Sequence, residues 1–268
     1  RVACIGNSVT YGYGHRNPAQ TSYPTRLGEM LGKGYDVRNF GHSGATLLRH
    51  GHRPYIQQQA WRDALAFAPH KAIIHLGLND TDPRNWPNYR DEFVPDYLAL
   101  IDSLRHANPQ VEVYVCRMTP IFHGHARFQS GTRDWHAQIQ HAIEEVAYLS
   151  GAHLIDLHAP LYHRPDLFAD ALHPDPEGAT ILARTVYRTL TGDHGGLSLP
   201  AIYSSHMVIQ RHKPFVLRGT ANAGSSITAR LGRERLRTTA AEDGSWQVTF
   251  KPLDTSPEAL TLTVPDGH

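Results

Sequence analysis

The chain has 268 residues, with 26 Lys and Arg against 25 Asp and Glu and a net charge of +1. This balance, with 19% charged residues, lacks the basic patch that nucleic-acid-binding proteins use, so we expect no nucleic-acid partner. No apolar run approaches the roughly 18 residues that can cross a bilayer, so we expect no membrane insertion. The length is typical of one large domain or of a catalytic domain followed by a small module.

The first predicted element is a short apolar run, residues 2–5, which stops at Gly6 and presents Ser8 two residues later. An unbroken apolar segment of this kind is typical of a buried parallel strand, and glycine permits a sharp exit from the sheet. Because the ligand crevice of an open α/β sheet lies at the carboxyl ends of its strands, Ser8 is placed for chemistry. The alternative is a polar turn that caps the next helix.

Further apolar runs predict four more strands, at residues 35–40, 72–76, 111–116 and 154–156. The second strand precedes Gly44 in a glycine-rich turn, and the third precedes Asn79. The backbone N–H of Gly44 and the amide of Asn79 are suitable donors to a developing oxyanion at the same sheet edge as Ser8. Ordinary turns at both places are the alternative.

Apolar residues recur at helical spacing between and after these strands, over residues 21–31, 54–67, 93–104, 135–149 and 176–190. Alternation of strands and helices predicts an α/β domain with a parallel sheet between helices.

Asp170 and His173 are three residues apart, directly before the last predicted helix. At this spacing the carboxylate can fold back onto the imidazole and turn its far nitrogen toward Ser8. A serine hydroxyl needs such a base, because it is a weak nucleophile on its own. The alternative is an aspartate that caps the helix and a surface histidine.

Two further residues are candidate substrate contacts. Trp86 follows the third strand in a loop, where it is either a sugar-stacking platform or a side chain that packs the loop down. Arg117 ends the fourth strand near the same sheet edge. The 19 histidines show no His-Glu-x-x-His pattern and no neighbouring cysteines, so we expect no metal and no cofactor.

The pattern changes after residues 192–196. Short apolar runs at 207–209, 215–217, 226–228 and 246–250 alternate with turns at 222–224 and 243–244, which predicts a small β-sandwich. We therefore predict a catalytic domain over residues 1–195 and a β-sandwich domain over residues 196–268, truncated at its C-terminal side.

Four blocks of this sequence resemble those of the SGNH, or GDSL-type, hydrolases: residues 6–10, 42–46, 77–80 and 170–174. The resemblance spans residues 1 to about 192 and implies a three-layer α/β/α, flavodoxin-like fold with a five-stranded parallel sheet. It implies that Ser8 is the nucleophile of metal-free ester hydrolysis, His173 its base and Asp170 the residue that orients the base. Gly44, Asn79 and the N–H of Ser8 would form the oxyanion hole. Asn7 stands where the family usually has Asp; because that position is outside the proton relay, we expect activity to survive.

Residues 199–211, with 246–250, are similar to the opening β-domain of sialate O-acetylesterase-type carbohydrate esterases. This second resemblance implies a periplasmic or secreted bacterial esterase that removes O-acetyl groups from sialic acid or from plant or host glycan sugars. A lipase or acyl-thioesterase of the same class is one alternative, and a catalytically dead glycan-binding module is another. The sequence leaves open which acetylated sugar is the substrate and what the oligomeric state is.

Overall fold

The structure is a computed structural model that describes residues 1–126, 132–254 and 259–265. The chain divides into two compact units, Arg1–Val186 and Tyr187–His268. This division falls within the last helix, somewhat before the predicted domain boundary after Gly195, which stays a prediction.

A five-stranded parallel sheet with strand order β2-β1-β3-β4-β5 forms the centre of the first unit. Each strand lies close to its predicted position, and the order is that of flavodoxin-like folds. The strands are β1 (Val2–Gly6), β2 (Val37–Gly41), β3 (Lys71–His75), β4 (Glu112–Arg117) and β5 (His153–Asp156).

The interior strand β1, which lies between β2 and β3, is buried along its whole length, as its apolar sequence predicts. At its end Gly6 lies between Gly41 and His75 on the neighbouring strands. A Cβ at Gly6 would stand 2.7 Å from the carbonyl oxygen of His75, so only glycine fits there. The chain can therefore leave the sheet at this point and present Ser8.

Helices cover both faces of the sheet. On one face, α6 (Phe93–Ala107) packs against both α4 (Gln59–Phe67) and α7 (Thr132–Ser150). The β1-to-β2 connection runs in the opposite direction across the sheet, so right-handed crossovers put α3 on the other face, which gives three layers. The helices of the described chain are α1 (Ser8–Tyr11), α2 (Pro18–Thr21), α3 (Tyr23–Leu31), α4 (Gln59–Phe67), α5 (Trp86–Tyr89), α6 (Phe93–Ala107), α7 (Thr132–Ser150) and α8 (Pro176–Thr191).

Two differences from the predicted helices have local causes. The helix predicted over 54–67 starts only at Gln59, because Tyr55–Gln57 form a 3-10 turn and Gln58 is extended with ψ 154°. Helices α1, α2 and α5 were not predicted, because each has only four residues, too few to show a periodic pattern. Within the described residues, no helix combines the length and apolar character needed to cross a membrane.

The second unit contains a three-stranded sheet, β10-β7-β8, and a two-stranded antiparallel sheet, β6-β9. Its core packs around Trp246, Phe250 and Leu217. These sheets form the predicted small β module. Its strands are β6 (Phe215–Thr220), β7 (Ser226–Leu231), β8 (Glu234–Thr239), β9 (Ser245–Phe250) and β10 (Leu262–Thr263).

The prediction of a strand at residues 207–209 was wrong. The N–H of Met207 donates to the carbonyl oxygen of Ser204 in a turn, and Val208 is 96% exposed. Three apolar residues without further alternation do not form a buried strand face. Strand β8 was missed because its charged residues mask the alternation.

Candidate active site

Ser8 opens helix α1 at the carboxyl end of β1 and is 7% exposed. The side-chain oxygen of Asn7 caps this helix by accepting from the N–H of Val9 at 3.1 Å. The predicted polar turn therefore exists, but the residue that caps the helix is Asn7. The hydroxyl of Ser8 takes part in a different contact.

That contact is with His173, whose Nε2 lies 2.8 Å from Ser8 Oγ. On the other side of the ring, His173 Nδ1 lies 2.5 Å from Asp170 Oδ2. The second oxygen of Asp170 accepts from the backbone N–H groups of His173 at 2.7 Å and Leu172 at 3.0 Å. The structure thus brings the three predicted catalytic residues into one hydrogen-bonded series.

The charge of Asp170 orients this series. Partial burial pushes the pKa of Asp170 upward, but hydrogen bonds from the His173 ring and from two backbone N–H groups outweigh burial, so the pKa lies below its usual value. An ionised Asp170 accepts Nδ1–H, which leaves the lone pair of Nε2 to the Ser8 hydroxyl. Between them Ala171 adopts φ +62°, a strained value for alanine that keeps the turn tight.

The predicted oxyanion donors lie on two loops that are bonded to each other. Gly44 adopts φ +79°, which favours glycine. The side-chain amide of Asn79 donates to the carbonyl oxygen of Ala45 at 2.9 Å. This bond ties the end of β3 to the loop that carries Gly44.

Two buried residues that the sequence did not single out hold these loops. The carboxylate of Asp80 accepts from the N–H groups of Leu47 at 2.9 Å and Leu48 at 2.8 Å. Asn85 donates to the carbonyl oxygen of Asn79 at 2.8 Å. Their partners are remote in sequence or in a loop, so no local pattern could reveal them.

Trp86 and Arg117 are both engaged inside the protein. Trp86 is 4% exposed, and its Nε1 donates to Gln138 at 2.7 Å, as the packing alternative predicts. The guanidinium of Arg117 pairs with Asp156 at 3.0 Å and Glu144 at 3.3 Å. No described contact brings either side chain to Ser8, and their role in substrate binding stays an unsupported prediction.

Two residues of the segment after Ser8 contact the His173 region instead. The ring of Tyr13 lies against that of His173, with centroids 4.6 Å apart. The ring of His15 is bonded to Thr21 Oγ1 and to the carbonyl oxygen of Pro174, both at 2.9 Å. His15 thus joins the segments that carry Ser8 and His173. Among the described residues, no group of three or more His, Cys, Asp or Glu is arranged to hold a metal ion.

The fold and this geometry define an α/β protein with a serine, a histidine and an aspartate in series at the carboxyl edge of its sheet. The model of the GDSL-like lipase/acylhydrolase family matches residues 4–181. The chain belongs to this family. The prediction of an SGNH-type carboxylic ester hydrolase is thereby confirmed at the level of the family, and the three-layer fold is confirmed as well.

Known proteins are similar to this chain in sequence or in fold. An acetylxylan esterase of Xylanibacter ruminicola is 37% identical over 205 residues, which cover 69% of this chain and 42% of that protein. The chain thus spans less than half the length of this relative. The inhibitor-bound aryl esterase of M. smegmatis superposes with a TM-score of 0.58 at 16% identity, covering 71% of this chain and 97% of that one. An acetyl xylan esterase of Geobacillus stearothermophilus gives 0.51 at 23% identity, with 70% and 92% covered. At these identities the two structures show the fold alone.

Proposed function

We propose that the chain is a serine esterase that removes O-acetyl groups from carbohydrates through an acyl-enzyme. The observation that carries this proposal is the series Ser8 Oγ, His173 and Asp170, joined at 2.8 and 2.5 Å. In this arrangement a neutral imidazole can take the serine proton while a carboxylate stabilises the imidazolium that forms.

In the acylation step, Ser8 Oγ attacks the carbonyl carbon of the acetyl ester as its proton moves to His173 Nε2. The oxyanion accepts hydrogen bonds from the N–H groups of Gly44 and Ser8 and from the amide of Asn79. When the tetrahedral intermediate collapses, the bond to the sugar oxygen breaks and that oxygen takes the proton from His173. The sugar leaves as an alcohol, and the acetyl group stays on Ser8.

In the deacylation step, water attacks the acetyl carbonyl and gives one proton to His173. The bond between the acetyl group and Ser8 Oγ breaks, and the proton passes from His173 to Ser8 Oγ. Acetic acid, which carries the second proton of the water, leaves and ionises to acetate in solution. Hydrogen bonds to an oxyanion, which are stronger than those to a neutral carbonyl, stabilise mainly the transition state. The loops of Gly44 and Asn79 are held by Asp80 and Asn85, which supports their pre-organisation.

Two observations favour an acetylated carbohydrate over a lipid or an acyl thioester. The relative that is 37% identical is an acetylxylan esterase. In addition, the side chains beside His173 and Gly44 include Tyr13 and the exposed guanidinium of Arg53, whereas a long acyl chain needs an apolar channel. We propose acetylated xylan as the first substrate to examine and O-acetylated sialic acid as the second. With a polysaccharide as the substrate, we also propose a periplasmic or secreted location.

The test is acetate release from acetylated xylan, from O-acetylated sialic acid and from p-nitrophenyl esters of short and long acids. We expect hydrolysis of the acetyl esters and little of the long-chain esters. Ser8→Ala should lower turnover to the roughly 10³–10⁴-fold acceleration over water that remains without a nucleophile. Ser103→Ala, on α6 where the hydroxyl bonds only Ala99 O among described contacts, is the matched control and should keep full activity.

Near wild-type rates in Ser8→Ala would refute the covalent mechanism. Binding of acetylated xylan without any ester hydrolysis by the wild type would instead support a glycan-binding module.

A further inference from the structure

We propose that Tyr13 is a specificity-determining residue that contacts the sugar ring on the leaving-group side of the site. This inference rests on the proposed function, because it assumes an ester whose alcohol part is a carbohydrate. Tyr13 lies between Gly12 and Gly14, which adopt φ +88° and +86°. Its N–H donates to the carbonyl oxygen of Ser8 at 2.9 Å, so its backbone is tied directly to the nucleophile.

The direction of the reaction places the sugar next to Tyr13. His173 must return a proton to the leaving oxygen, so that oxygen comes within about 3 Å of Nε2 in the reacting complex. The carbonyl oxygen points the other way, toward Gly44 and Asn79. The sugar that carries the leaving oxygen is therefore beside His173, and the Tyr13 ring packs against His173 with centroids 4.6 Å apart and planes inclined by 46°.

The surroundings of Tyr13 also suit a ligand. Tyr13 is 53% exposed. Several other tyrosines of this unit are exposed too, but among the described ring contacts only that of Tyr13 is with His173. None of its described contacts is a hydrogen bond from the phenol hydroxyl. One part of the ring rests on His173, and the remainder offers an apolar surface with a polar tip. Such a surface suits a sugar, which combines C–H groups with hydroxyls.

The two steps of the reaction distinguish a side chain that contacts the sugar from one that only supports His173. The sugar is present during acylation and has left before deacylation, whereas His173 acts in both. A side chain that contacts the sugar therefore affects acylation by sugar esters alone. A side chain that only supports the His173 ring affects both steps and every substrate.

The experiment compares Tyr13→Ala, Tyr13→Phe and the wild type on acetylated xylooligosaccharides and on ethyl acetate, whose leaving group has no ring. We expect Tyr13→Ala to lower kcat/KM for the oligosaccharides about tenfold, the order that one aromatic contact contributes. The value for ethyl acetate should stay within about twofold, and Tyr13→Phe should recover most of the loss. The deacylation rate, taken from the steady state after the p-nitrophenyl acetate burst, should not change.

Tyr11→Ala is the matched control, since Tyr11 belongs to the same segment and is 47% exposed. It should leave both kcat/KM values and the deacylation rate unchanged. An equal fall on both substrates, or a slower deacylation in Tyr13→Ala, would overturn the inference and assign Tyr13 to support of His173. An unchanged kcat/KM on oligosaccharides would overturn it as well. Failure of the proposed function is a separate outcome, because the wild type would then hydrolyse none of these esters.

Discussion

Acid should weaken the first unit through two buried histidines, and His75→Gln should remove about half of their effect. His75 ends β3 and accepts from the N–H of Thr119 at 3.2 Å. Burial, with a smaller effect of His136, lowers the pKa of His75 to about 3. Burial likewise lowers the pKa of His136 to about 4. Both rings are therefore neutral in the folded chain at pH values where free histidine becomes charged.

The size of the effect follows from proton linkage. An unfolded histidine titrates near a pKa of about 6.5. Below that pH the unfolded chain binds protons that the folded chain does not, so stability is fully present above about pH 6.5 and is lost as the pH falls toward the folded pKa. At about pH 5 the loss is about 2 kcal/mol for each ring. This figure depends on the unfolded pKa and hardly on how far below pH 5 the folded value lies.

Other histidines with shifted pKa values do not cancel this loss. Burial also lowers the pKa of His42 and of His158, so both act in the same direction. A hydrogen bond with Glu92 raises the pKa of His50. This shift acts on stability in the opposite direction, but the His50 ring is exposed to solvent.

The assay is urea unfolding at about pH 7.5 and about pH 5, followed by tryptophan fluorescence. The fluorescence reports mainly on the first unit, which contains Trp61, Trp86 and Trp135. Glutamine does not titrate and can still accept from the N–H of Thr119. The loss of unfolding free energy between about pH 7.5 and about pH 5 should therefore be about 2 kcal/mol smaller in His75→Gln than in the wild type. His141→Gln, an exposed position on the same helix as His136, should not change it. An equal pH dependence in His75→Gln and the wild type would refute the reasoning.

Two further predictions concern the site and the domain boundary. Asn79→Ala should lower kcat on acetyl esters by about 10²–10³ with a smaller change in KM, since its amide meets mainly the oxyanion; a change confined to KM would mean that Asn79 only holds substrate. A protein truncated after Gly195 should keep its turnover on p-nitrophenyl acetate and lose some stability, because every proposed catalytic residue precedes that point. A folded truncation without this activity would show that the β module completes the site.

The parts of the fold that could be predicted are those with a local pattern. The apolar run at residues 2–5 and its counterparts became the strands of the sheet because a buried parallel strand needs only a few consecutive apolar residues. Asp170 and His173 were found for a similar reason, since their three-residue spacing already permits the contact. Their roles in catalysis, with that of Ser8, stay predictions for the assays above.

The contacts that hold the site could not be predicted, because their partners are remote. Asp80 bonds backbone N–H groups more than 30 residues earlier in the chain. His15 reaches the carbonyl oxygen of Pro174, 159 residues later. A backbone donor or acceptor carries no side-chain signature, so neither partner can be recognised from residue types. The contacts of Trp86 likewise depend on Gln138 on another helix.

The separation of Ser8 from His173 by 165 residues has a consequence for the order in which the protein is made. During synthesis the serine leaves the ribosome first, and its histidine partner follows only when nearly the whole first unit has been translated. Any nascent chain that ends before residue 173 lacks the base, even if β1, β2 and β3 have already formed. Ester hydrolysis in a series of stalled chains of increasing length should therefore begin abruptly after the segment with Asp170 and His173 has emerged.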